Sequence, residues 1–155
     1  MGYEYMAQPF TMTSADGVTP CYGENLIFSK QGASDRVIVV GAHYDCVEQT
    51  FGTDDNASGV GVLLELASIY STKESPYTIR FILFSAEEPG CLGSQYYVDN
   101  LSQEERDRIA CMIKYLIRLQ LATICISMEV QWMTVEALFR IGLFIRHSQH
   151  RSSWY

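Results

Sequence analysis

The residues able to do chemistry stand in three short clusters: His43-Tyr44-Asp45, Asp54-Asp55 and Glu87-Glu88. The middle pair is the most telling, because "GTDDNASGVG" sets two like charges side by side just before a segment that reads as a buried helix. Adjacent carboxylates at a point of burial are tolerable where a cation offsets their repulsion. A mixed set of imidazole and carboxylate is the ligand chemistry of Zn²⁺ and related divalent ions, and one carboxylate can bridge two metals. Of the Glu pair, neighbouring side chains at a strand end point in different directions. One can bind metal while the other stays free to take a proton from a metal-bound water. A ligating His43 needs its second ring nitrogen held, and Asp45, two residues on and on the same side of an extended chain, is placed to hold it.

Each cluster also has a plainer reading. His43 could be a satisfied polar residue at a strand end, Asp54-Asp55 a helix N-terminus complementing the macrodipole, Glu87-Glu88 a solvated turn, and Ser58-Gly59 only close helix packing. What favours a site is that the three clusters fall at consecutive element boundaries. "VIVVGA", 37–42, and "YTIRFILFSA", 77–86, are apolar runs of strand length, rich in branched and aromatic residues, so they read as strands buried on both faces. Between them Val60, Leu63, Leu64 and Ala67 recur at helical spacing, with Asp55, Asn56 and Ser58 supplying cap chemistry. A short helical stretch around 92–100 follows, then a capping box formed by Ser102 and Glu105. Residues 10–34 read as one or two short strands with turns around "ENLIFSK". Strand, helix, strand, helix is a right-handed βαβ unit in a largely parallel sheet, and the clusters follow the carboxyl ends of its strands.

The chain has 155 residues, 48% of them hydrophobic, enough for one domain with a core, and no linker divides it. A net charge of −7 without a Lys/Arg cluster argues against a nucleic-acid-binding surface. The five cysteines, Cys21, Cys46, Cys91, Cys111 and Cys125, show no CxxC pair and read as core or strand-end thiols rather than as a zinc or disulfide framework. The N-terminus lacks the basic and apolar regions of a signal peptide, which leaves a cytoplasmic location as the default and the compartment undecided. The apolar stretch from Tyr115 to Ile145 is broken by Arg118, Glu129, Glu136 and Arg140. It is a poor membrane span and reads as one or two helices. His147 and His150 belong to a basic, Ser-rich tail that reads as a disordered terminus.

"VIVVGAHYD", "GTDDNASGVGVLLELA" and "IRFILFSAEEPGCLGSQYYV" closely resemble, in order, the three signature blocks of the co-catalytic zinc aminopeptidases, metallopeptidase family twenty-eight. The similarity runs from about Asn25 to Ile113. It implies an α/β fold, a three-layer α/β/α phosphorylase-like zinc peptidase, and an aminopeptidase acting on peptides with a free N-terminus through a metal-bridging hydroxide. It further implies two zinc ions, with His43, Asp55 and Glu88 as ligands, Asp55 as the bridge, Asp45 orienting His43 and Glu87 as the general base. The chain departs from the family where an Asn-x-Asp pattern is expected on the strand after the capping-box helix. "KYLIRLQ", 114–120, stands there, and no Asp follows Asp107. The resulting expectation is a division at residue 113, with 1–113 the N-terminal half of a zinc peptidase domain and 114–155 a divergent segment, as if the reading frame had left the family there. The rival readings are a carboxypeptidase or glutaminyl cyclase-like enzyme of the same superfamily, or a non-catalytic metal-binding domain. A sheet lacking its later strands should also expose apolar surface around "RFILF" and favour self-association.

Overall fold

A computed structural model describes residues 2–116 and 121–126. The expected helices beyond residue 126 and the tail carrying His147 and His150 lie outside the described residues. Six strands, β1 (Glu4–Thr13), β2 (Pro20–Lys30), β3 (Val37–His43), β4 (Thr78–Phe84), β5 (Ile109–Leu116) and β6 (Leu121–Ile126), form one sheet in the order β1-β2-β4-β3-β5-β6. The helices are α1 (Ser58–Ser71), α2 (Leu92–Asp99) and α3 (Gln103–Arg108).

The parallel relation expected from the strand-helix-strand pattern holds at the centre, where β3 pairs parallel with both β4 and β5. Outside this trio, β1, β2 and β6 run antiparallel to their neighbours. Parallel neighbours need a crossover, and α1 supplies the one between β3 and β4, whereas a hairpin serves β1 and β2. The near-continuous apolar runs of β3 and β4 follow from being covered on both faces. Val40 and Ala42 pack with Leu63 and Ala67 of α1 and with Ile79 and Phe81. Val37 and Val39 turn to the other face, with Ile27, Ile82, Phe84 and Tyr97 of α2. Helices on both faces make three layers.

Three expectations are corrected by this packing. Arg80–Phe84 does not expose an apolar surface: β4 is interior to the sheet and Phe81, Ile82 and Phe84 are buried. The inner face of α1 is Gly59, Leu63 and Ala67, while Leu64 is half exposed. A glycine rather than a large residue occupies the buried position nearest the sheet end. Leu121–Ile126, read as part of a helical stretch, is a strand, in keeping with its sequence "LATICI", whose Thr and two Ile favour extended backbone. The capping box appears as expected: the Glu105 amide donates to Ser102 Oγ at 3.2 Å and the Ser102 amide to Glu105 Oε2 at 3.0 Å. Among the described residues no helix is long and apolar enough to cross a membrane.

Candidate metal centre

His43 is the last residue of β3, and its side chain is 1% exposed. Its Nδ1 lies 3.1 Å from the Asp45 carbonyl oxygen, with the Asp45 carboxylate at 3.7 Å. The expected orienting contact is therefore made by the backbone of Asp45 more closely than by its side chain. A carbonyl only accepts, so Nδ1 carries a proton, and whenever the ring is neutral Nε2 presents a bare lone pair. That lone pair faces Asp55 Oδ1 at 3.0 Å. Two acceptors at this distance repel unless a proton or a metal ion joins them. Asp55 Oδ1 and Asp45 Oδ1 are both buried without a hydrogen-bond partner. Glu88 completes the group: one ligand atom each from His43, Asp55 and Glu88 lie within 4.8 Å of one another. Two ligands on a tetrahedral zinc sit about 3.3 Å apart, given metal–ligand bonds of about 2.0–2.1 Å. The donor set of one imidazole and two carboxylates fits a divalent ion.

The electrostatics point the same way. Burial works against a charged His43, but Asp45, Glu87 and Asp55 together outweigh it and raise the imidazole pKa. Glu88 is raised too, by burial and then by the negative charges of Asp55 and Glu87. Asp45 is lowered: burial opposes ionisation, but hydrogen bonds from His43 and the amides of Glu87 and Glu88 prevail, the Glu88 amide lying 3.1 Å from Oδ2. Residues that would rather be protonated, gathered around orphaned oxygens, describe a field that seeks positive charge.

The turn carrying the Glu pair is built by strained backbone. Ala86, buried, adopts φ 54°, the left-handed region that non-glycine residues rarely enter. Its carbonyl accepts from Leu92 N at 2.8 Å, and the Ser85 carbonyl accepts from Gly93 N at 3.1 Å, so α2 clamps the turn. Asn25, fully buried on β2, joins both sides: Nδ2 donates to Gly93 O at 2.8 Å and to Gln8 Oε1 at 2.9 Å, while Oδ1 accepts from Ser85 N at 3.2 Å. Gly93 must be glycine, since a Cβ would stand 2.2 Å from Ser85 O.

On the Asp55 side the work falls to Asn56, which is buried. Its Nδ2 donates to Tyr115 O of β5 at 2.8 Å and its Oδ1 accepts from Gly59 N at 3.1 Å. Asn56 is thus the residue that caps α1, whereas Asp55 turns to His43 and the Ser58 hydroxyl donates back to Asp54 O at 2.8 Å. The Asp55–Asn56 peptide is cis. A Cβ on Gly59 would meet Asn56 Oδ1 at 2.3 Å, so the Ser58-Gly59 pair serves the site as well as helix packing.

Glu87 stands apart from the three-residue cluster. Its Oε1 is 3.8 Å from Lys114 Nζ on β5 and 3.5 Å from Cys91 Sγ. Burial, then the Glu87 charge, raise the Cys91 thiol pKa. Cys46 and Cys91 are exposed rather than core residues, and Cys21, Cys46, Cys91 and Cys111 are all free thiols. His43, Asp55 and Glu88 come together, with Asp45 at His43 and Glu87 beside Lys114. Asn25 and Lys114 have no motif to mark them, and the sequence assigns Asn56 only cap chemistry. The one signal for Asn25 is a polar residue directly before the apolar run Leu26-Ile27-Phe28.

The sequence signature of Peptidase family M28 matches residues 25–115. Aminopeptidase YwaD of Bacillus subtilis is 49% identical over 72 residues, a match covering 46% of this chain and 16% of that protein. The structure of BSAP, a zinc aminopeptidase from Bacillus subtilis, superimposes with TM-score 0.59 at 39% identity, covering 62% of this chain and 24% of that one. Porphyromonas gingivalis glutaminyl cyclase superimposes with TM-score 0.64 at 28% identity, over 75% of this chain and 45% of that one. The match to the Bacillus curated relative thus spans about a sixth of its length.

Proposed function

The chain belongs to peptidase family M28, and from that premise we propose that it carries the metal-binding and proton-transfer half of a zinc exopeptidase site acting on peptides with a free amino terminus. The observation that carries this reading is the meeting of His43, Asp55 and Glu88, with one ligand atom of each within 4.8 Å of the others and His43 Nε2 3.0 Å from Asp55 Oδ1. His43, Asp55 and Glu88 would hold the ion. A zinc ion there supplies Lewis acidity, lowering the pKa of water and polarising a carbonyl. The other roles belong to the chain. The Asp45 carbonyl keeps the proton on His43 Nδ1, so that Nε2 stays a donor of electrons. Asp45 Oδ2 accepts from the Glu88 amide and thereby ties the strand-end loop to the Glu turn. Glu87, outside the ligand cluster but next to it in sequence, takes the proton from the attacking water and returns it to the leaving amine. Asp45 is a positioning residue in this scheme and Glu87 the catalytic one.

The test is hydrolysis of leucine p-nitroanilide by the zinc-supplemented chain, beside its N-acetylated counterpart and a glutaminyl peptide. The expected result is cleavage of the free-amine substrate alone, reduced roughly a hundredfold or more in Glu87→Gln with zinc content unchanged. Cyclisation of the glutaminyl peptide without anilide hydrolysis would support the cyclase-like alternative that the Porphyromonas likeness raises. Stoichiometric zinc with neither reaction would leave a non-catalytic metal domain.

A further inference from the structure

Lys114 is the one basic side chain paired with the acidic group around His43 among the described residues, 3.8 Å from Glu87 Oε1 and only 22% exposed. Its placement follows from strand alternation. Ile113 and Tyr115 pack on the α1 face of β5, so Lys114 and Met112 face α2, where they line a groove with Phe84, Tyr97 and Gln95. In register Lys114 lies opposite Gly41, two residues before His43, and its long stem carries the ammonium to Glu87.

Resting on the proposed metal-dependent reading, we propose that Lys114 occupies the place of a second metal ion: the centre takes one divalent ion, on His43, Asp55 and Glu88, and the Lys114 ammonium neutralises the Glu87 side. Three arguments carry this. Among the described residues His43, Asp55 and Glu88 are the single cluster with three ligand atoms close enough to share an ion. Glu87, the carboxylate beside Glu88 in sequence, already faces an ammonium. Four carboxylates gather at this edge, Asp45 and Asp55 at His43, Glu88 in the ligand cluster and Glu87 at Lys114. One divalent ion and one ammonium offset three of their four formal charges, whereas two divalent ions beside Lys114 would exceed them, which works against a second ion.

The experiment is isothermal titration of zinc into the full chain after chelator treatment, for wild type, His43→Ala, Lys114→Met and Lys114→Gln, with circular dichroism to establish folding. Sites lost on alkylation of the thiols, of which Cys46 and Cys91 are exposed, are subtracted, and any further site that survives in His43→Ala counts as a second ion. The account expects one His43-dependent zinc in wild type, and one bound roughly threefold or more tightly in both Lys114 variants, because a repelling charge is gone. Two thiol-independent ions in wild type, or Lys114 variants with unchanged affinity, would overturn it while leaving the metal-dependent reading intact. A folded wild type with no His43-dependent zinc would instead overturn the parent reading, and this inference with it.

Discussion

Asn25 offers the most quantitative test of how the fold holds the site. Truncation to Ala removes three hydrogen bonds: those to Gly93 O at 2.8 Å, to Gln8 Oε1 at 2.9 Å and from Ser85 N at 3.2 Å. Gln8 is half exposed and can turn to water, so its loss costs little. The Gly93 carbonyl and the Ser85 amide have no such recourse, because β2, β4 and α2 close around them. An orphaned buried backbone group costs about 1–3 kcal/mol, so the pair should lose about 2–6 kcal/mol. That is a large share of the roughly 5–15 kcal/mol that a domain has to lose. With an m-value of about 2 kcal/mol per molar urea, a loss near the middle of that range moves the midpoint down by about 2 M. Asn25→Asp should be at least as damaging, since it sets a carboxylate oxygen against the oxygens of Gly93 and Gln8. Equilibrium urea unfolding followed by circular dichroism and fluorescence reads both. A midpoint shift below about 0.5 M for Asn25→Ala would refute the idea that this side chain ties β2 to the Glu turn.

Other perturbations have outcomes of comparable definition. Leu63→Ala, at a fully buried position between α1 and the sheet, should cost about 3–5 kcal/mol in the same urea assay. Gly59→Ala puts a methyl 2.3 Å from Asn56 Oδ1 and should displace Asn56 from Tyr115. The cost is about 1–3 kcal/mol, with weakened zinc binding as the accompanying sign that Asp55 has moved. The Glu105 carboxyl is held below its usual range by hydrogen bonds from the Ser102 amide and hydroxyl. A depressed folded-state pKa gives stability that is present above the ordinary Glu pKa of about 4.3 and is lost as pH falls through the folded value. Glu105→Gln should therefore lower the melting temperature at pH 7, with the gap to wild type closing toward pH 3. A pH-independent gap would mean that packing, not charge, makes the box.

What the sequence disclosed, it disclosed through local signals. The runs of β3 and β4 are apolar because both faces are covered, and the Ser102/Glu105 box is a four-residue pattern complete in itself. The convergence of His43, Asp55 and Glu88 followed from one topological rule, that residues after the strands of a βαβ unit meet at one edge. The rest depended on distance along the chain. Asn25 reaches a partner 68 residues away and Asn56 one 59 residues away, and no periodicity encodes either contact. Gly59 breaks the apolar pattern of α1 because its position is set by Asn56, not by the core. Lys114 interrupts an apolar strand for an electrostatic reason visible only once Glu87 is beside it. Residues 4–9, "EYMAQP", look too polar for a strand, and they form one because an edge strand has solvent on its open side.

The central claim is that His43, Asp55 and Glu88 bind the ion, and it is tested most directly by zinc-edge X-ray absorption on the full chain loaded with one equivalent of zinc. The predicted spectrum has nitrogen and oxygen ligands at about 2.0–2.1 Å, with the multiple scattering of a single imidazole that disappears in His43→Ala. A sulfur shell at about 2.3 Å, which would place the metal on exposed thiols such as Cys46 and Cys91, would contradict it.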